Sequence, residues 1–190
     1  MTEVLFYHLQ NMSLESVLPP LLEKSLERGW RVVVQSTSPE RTEALDAHLW
    51  TYSDDSFLPH ATWRAGDAPD HPVILSVEEG NPNRANVRFL IDNAALPADA
   101  DSYERLVLVF NGDDADALDA ARGAWTDCKA KGFDVTYWQT DDRGRWQRRQ
   151  HAFERHVLQM VEQDFRHPRP FLVVVFAQAI SCAQVYFLAS

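Results

Sequence analysis

The chain is poor in cysteine and glycine, and residues 170–190 carry no charged side chain at all. Cys128 and Cys182 are too few for a disulfide framework and do not have zinc-ligand spacing, a usage that fits a reducing cytoplasm. The seven glycines (29, 66, 80, 112, 123, 132 and 144) make neither G-x-x-x-x-G-K-[ST] nor G-x-G-x-x-G, so no ready phosphate cradle is expected. No serine sits in a G-x-S-x-G elbow and no histidine pair in H-E-x-x-H. The opening "MTEVLFYHLQ" lacks a basic start and a long apolar run, so it does not read as a signal peptide. Positive charge is scarce as well: the net charge is −10, a field that repels nucleic acid.

What is present is an ordinary globular balance, 45% hydrophobic and 24% charged, over 190 residues, enough for one domain with a substantial core. The charge is uneven. Residues 1–142 hold 25 Asp+Glu against 11 Lys+Arg, whereas 143–169 hold seven arginines against Glu154, Glu162 and Asp164. The reading is an acidic domain (1–142), a basic and helical connector (143–169) and an uncharged apolar tail (170–190).

Strand-like runs occur at 4–9, 30–35, 72–77, 86–91, 105–110 and 133–138. Between the first two, leucines at helical spacing predict a helix beginning at or kinked near Pro19 and stopping at Gly29. A second helix follows 30–35, with Thr37 and Glu40 at capping-box spacing and Pro39 at its first position. A third spans 113–131, with acids in its first turn and lysines in its last. Alternation of this kind predicts an α/β fold: three layers, a mostly parallel central sheet with helices on both faces, Rossmann-like but without a phosphate-binding loop.

Candidate chemistry is thin. His48 with His60, and His151 with His156, fall short of the three or four ligands of a typical metal site. Asp113, Asp114, Asp116 and Asp119 have a structural reason to sit at a helix start, so no metal or cofactor is expected. Two features stand out instead. Leu118, Arg122, Trp125 and Lys129 share one helical stripe that mixes apolar and cationic groups. Trp50, Phe57 and Leu58 surround the polar loop "TYSDDS", either packing it onto its own domain or serving as anchors for another molecule.

Several strings resemble the chi subunit family of bacterial DNA polymerase III holoenzyme: "FYHL", "ALDAHLW…DSFLPH" and "AARGAWTDCKAKGFDVTYW". The resemblance covers about residues 1–140, and "LW…SFLPH" is its most specific piece. It implies a non-enzymatic α/β adaptor that contacts DNA indirectly, through single-stranded DNA-binding protein (SSB). One surface would take the SSB C-terminal tail; another would bind a psi-type clamp-loader subunit or a repair helicase. By resemblance, Trp50, Phe57, Leu58, Pro59 and His60 meet the psi or helicase partner. Arg122 takes the terminal carboxylate of the SSB tail, Leu118, Trp125 and Tyr137 wall a slot for its last ring, and Lys129 attracts its aspartates. Trp125 stands where relatives often carry tyrosine. The alternative is a small-molecule or nucleotide-binding α/β protein, hydrolases included, which needs convergent polar groups at the carboxyl ends of the strands.

The tail departs from the family pattern. Trp146, Phe153, Val157, Met160, Val161 and Phe165 suggest an imperfect amphipathic helix before the closing 20 residues, 171–190. Gln178, Ser181 and Gln184 make that closing stretch a mediocre membrane span, so a membrane location is not expected. Packing against the domain or a partner, and an altered C-terminus, are the other readings.

Overall fold

The β-branched runs become strands buried on both faces. In the computed structural model all four residues of Val32–Gln35, Val73–Ser76 and Val87–Leu90 are buried, the pattern of a parallel sheet covered on two sides. The structure describes residues 2–141 and 145–149. The chain divides after Gln150 into two units, and every described residue belongs to the first.

The elements in chain order are β1 (Glu3–Leu9), α1 (Leu14–Glu27), β2 (Val32–Gln35), α2 (Pro39–Leu49), β3 (His60–Thr62), β4 (Val73–Ser76), β5 (Val87–Leu90), β6 (Arg105–Asn111), α3 (Ala115–Ala130), β7 (Asp134–Thr140) and β8 (Trp146–Arg148). Single 3-10 turns at Ala68–Asp70 and Ala100–Ser102 lie in the connections. The strands form one sheet in the order β3-β4-β2-β5-β6-β1-β7-β8. All neighbours are parallel except β7 and β8.

Strand alternation assigns the faces. Leu5 and Leu9 of β1, Val32 and Val34 of β2, and Val107 and Val109 of β6 join one core with Leu18 and Leu22 of α1 and Leu45 and Leu49 of α2. Phe6 and His8 point the other way, toward α3, where Trp125 meets the Phe6 ring edge-on at 5.2 Å. Three layers result, as expected. Arg88, fully buried in β5, is held by Gln35, the carbonyls of Glu78 and Gly80, and the Tyr103 hydroxyl, so the loops around it are pinned from inside.

Three expectations need correction. α1 begins at Leu14, capped by Ser13, and carries Pro19 and Pro20 in its interior. Pro19 has no N–H for the Glu15 carbonyl; His48 of α2 reaches across and donates from Nε2 at 2.9 Å. Pro20 lies on the exposed side, where the second freed carbonyl can meet water. α2 is capped by Ser38, not Thr37: Ser38 Oγ accepts from the Arg41 N–H at 3.1 Å. Thirdly, Trp146–Arg148, expected in a helical connector, is a strand. It pairs Trp138 with Arg148 and Thr140 with Trp146, covers the open edge of β7, and sets Trp146 edge-on to Tyr7 at 4.8 Å. The rest of the connector, the tail 170–190, His151, His156 and Cys182 lie outside the described residues. Among the described residues no helix is long and apolar enough to cross a membrane.

If His48 replaces the donor that Pro19 lacks, the two positions are coupled. His48→Ala should cost about 1 kcal/mol by leaving the Glu15 carbonyl unmet. In a Pro19→Ala background, where the helix supplies its own N–H, most of that cost should vanish. Urea denaturation of the four proteins measures the coupling; equal costs in both backgrounds would refute it.

Candidate functional site

α3 is set by Asp114, whose side chain accepts from the N–H groups of Asp116 and Ala117 at 2.9 and 3.3 Å. Its buried residues are Ala117, Ala121, Trp125 and Cys128, so small side chains bring the helix close to the sheet. Trp125 and Tyr137 are each only 4% exposed, with ring centroids 6.4 Å apart. Placed beneath the surface, these two rings support the stripe from below; they do not line an open slot. The reason is periodic: Trp125 continues the buried row of Ala117 and Ala121 at four-residue steps.

Leu118 and Arg122 are half-buried and Lys129 is exposed, its ammonium 5.5 Å from the centre of the Trp125 ring. The Arg122 side chain is 16% exposed. Its Nη1 bonds Asp119 Oδ1 at 2.7 Å, one turn back, and Asp119 stands in solvent. Its Nε is buried and has no hydrogen-bond partner among the described residues. A fork with one prong on a solvated carboxylate and another without an acceptor suits an incoming anion.

Beside it lies a residue that the sequence reading passed over. His8, near the carboxyl end of β1, shares a hydrogen bond through Nδ1 with the Tyr137 hydroxyl and stacks on Phe110 at 5.1 Å. Its Nε2 is also buried without a partner among the described residues. Gly112 makes room for the ring, since a Cβ there would stand 1.7 Å from His8 Nε2. Burial pushes the His8 imidazole below its ordinary value; Asp113 opposes the shift and Arg122 adds to it. Burial likewise pushes the Tyr137 phenol up, against the pull of Arg122. A histidine inside the otherwise apolar "VLFYHL" was the available signal.

The second group of predicted residues gathers at the end of α2. Trp50 caps the helix, and its backbone N–H bonds the Asp46 carbonyl. Trp50 is 57% and Phe57 69% exposed, and their rings touch, with centroids 5.9 Å apart. Leu58 and His60 are buried. His60 donates from Nδ1 to the Leu58 carbonyl at 2.7 Å and backs the Trp50 ring at 4.9 Å. Pro59 is half-buried. Of the five residues, Trp50 and Phe57 thus face outward while Leu58 and His60 hold them from within.

The carboxyl ends of the central strands open on a cleft of about 450 Å³ lined by Glu15, Arg41, Asp92, Asn111 and Asp114, among others. Arg41 is already engaged there, with Glu15 at 2.7 Å and Asp92 at 3.0 Å. A cavity of about 480 Å³ lies on the flank of α3 away from Arg122, between Ala121, Ala124, Leu90 and Leu96. No group of three or more His, Cys, Asp or Glu suited to a metal ion occurs among the described residues.

Comparison with known proteins assigns the family. A family model for the DNA polymerase III chi subunit, HolC, matches residues 1–136. The chain belongs to the DNA polymerase III chi subunit family. It is 30% identical over 91 residues to a probable DNA polymerase III subunit chi of Rickettsia prowazekii (strain Madrid E). That match takes in 48% of this chain and 55% of the relative, so it spans about half the relative's length.

Titration tests the buried His8. Because its folded pKa lies below the unfolded value of 6.5, its contribution to stability is complete above 6.5, declines as pH falls below that value and is lost once pH has fallen through the lower folded value. The melting temperature should drop more between pH 7.5 and 5.5 for the natural chain than for His8→Gln. Parallel profiles would show that the imidazole is not held neutral.

Proposed function

We propose that this chain is a non-catalytic adaptor of DNA replication, tying the C-terminal tail of SSB to the clamp-loader complex of DNA polymerase III. The observation that carries this reading is the separation of its two candidate surfaces. Trp50 and Phe57 stand beside β3, an edge strand, whereas Arg122 sits over β1 and β7 on the opposite face of the sheet. Five strand spacings separate β3 from β1, or about 24 Å at ~4.8 Å per strand. Two partners can occupy such surfaces together, which is what a bridge requires.

The chemistry of each surface matches one partner. The terminal carboxylate of a phenylalanine-ending peptide can displace the solvated Asp119 from the fork and, as the side chain turns toward it, supply the acceptor that the buried Arg122 Nε lacks. Leu118 supplies apolar contact and Lys129 attracts upstream aspartates; Trp125, Tyr137 and His8 hold the fork in place. The exposed aromatic pair suits a protein partner on the clamp-loader side, a psi-type subunit or a helicase, because rigid aromatics anchor interfaces at little entropic cost. DNA is reached through SSB, in keeping with a net charge of −10.

An SSB C-terminal peptide should bind in the micromolar range, about −8 kcal/mol, and more weakly in high salt. Arg122→Ala should lower that affinity by about tenfold or more, the loss of one charge-assisted hydrogen bond, without unfolding the domain. Removing the terminal phenylalanine should do the same. Trp50→Ala should spare the peptide and cost about 2–4 kcal/mol toward the clamp-loader-side partner. Unchanged peptide affinity in Arg122→Ala would overturn the SSB assignment.

A further inference from the structure

The loop joining Trp50 to Phe57 has almost no structure of its own. Its described main-chain ties are Thr51 N–H to the His48 carbonyl and Asp55 N–H to Ser53 Oγ, the latter long at 3.4 Å. Thr51, Ser53, Asp54 and Asp55 are exposed. A polar segment of this kind would leave the two aromatic rings loosely related. One carboxylate on another helix prevents this. Glu23 of α1 accepts through a single oxygen, Oε1, from the Tyr52 hydroxyl at 2.8 Å and from the Ser56 hydroxyl. The two hydroxyls also contact each other. Ser56 gives its proton to the carboxylate, and Tyr52 shares its own between Glu23 and Ser56.

Tyr52 lies two residues after Trp50, and Ser56 immediately precedes Phe57. Fixing these two points fixes both ends of the loop against α1. The inner side of the pair is fixed separately, by buried Leu58 and His60. From this geometry we infer that Glu23 is a positioning residue, a latch that holds the loop 51–56 and so presents Trp50 and Phe57 as one preformed surface. Its consequence for binding rests on the docking role proposed above for that pair. A partner meeting the latched loop has no ordering left to do; if only a fraction of molecules are competent, the apparent affinity falls by that fraction.

Two readouts on the full chain test this, one of which needs no partner. Limited digestion with an endoproteinase that cuts before aspartate reports opening of the loop at Asp54 and Asp55. Glu23→Ala and Tyr52→Phe should each speed cutting there, Glu23→Ala by roughly tenfold, with other sites unaffected. Glu23→Gln keeps an accepting oxygen and should restore most of the protection. Glu27→Ala, one turn along α1, should match the natural chain. Binding to the clamp-loader-side partner that Trp50→Ala loses should weaken by about the same factor in Glu23→Ala, while titration with the SSB peptide stays unchanged. Equal cutting at Asp54 and Asp55 in the natural chain, Glu23→Ala and Tyr52→Phe overturns the latch. Faster cutting with full affinity for this partner, in a protein that loses it in Trp50→Ala, overturns the positioning role. Should Trp50→Ala keep the partner, the docking role falls instead, and digestion alone decides the latch.

Discussion

Trp125 lodges between Phe6 and Tyr137, and the placement of α3 follows from that contact. Three aromatic groups in edge-on arrangements bury much apolar area and favour particular angles, so the helix can neither slide nor roll cheaply. Arg122 is three residues from Trp125 and inherits its position. Tyr137 in turn bonds His8, and His8 needs the vacancy left by Gly112. A half-buried guanidinium thereby comes to rest over a neutral imidazole and a neutral phenol, groups that leave its charge uncompensated from below.

Much of the fold was legible because it depends on periodicity. The six long apolar runs became the six strands expected of them, and the 113–131 helix was displaced by only a residue or two. The short edge strands were not legible. "HAT" and "WQR" hold too few residues to show alternation, and both exist because a neighbouring strand offers unpaired edge groups. Helix starts were blurred for a related reason. Ser36, Thr37 and Ser38 are all competent caps, and only the backbone path selects Ser38.

The candidate residues could be picked from the sequence, but their depths could not. A stripe drawn on a helical wheel treats Arg122 and Trp125 as equals, yet one is half-buried and the other buried. The sheet decides that difference, by meeting the helix along Ala117, Ala121 and Trp125. His8 escaped notice because one histidine in an apolar strand resembles ordinary polar packing; its meaning emerges once Tyr137 and Arg122 are beside it. For the loop the reverse happened. "LW…SFLPH" picked out a cluster of candidate residues, and the structure sorts four of them into two that face outward and two that brace them.

A chain with such an acidic surface does not gain an acidic peptide through its overall field; local cations have to outweigh it. Peptide capture therefore turns on whether Arg122 Nε acquires an acceptor from a guest. Nitrogen-15 NMR of the arginine Nε–H groups observes this atom directly. Adding an SSB C-terminal peptide with a free carboxylate should shift the Arg122 Nε–H resonance downfield and slow its exchange with water, and the same peptide ending in an amide should do neither. A resonance that stays put while the free-acid peptide binds would contradict the account.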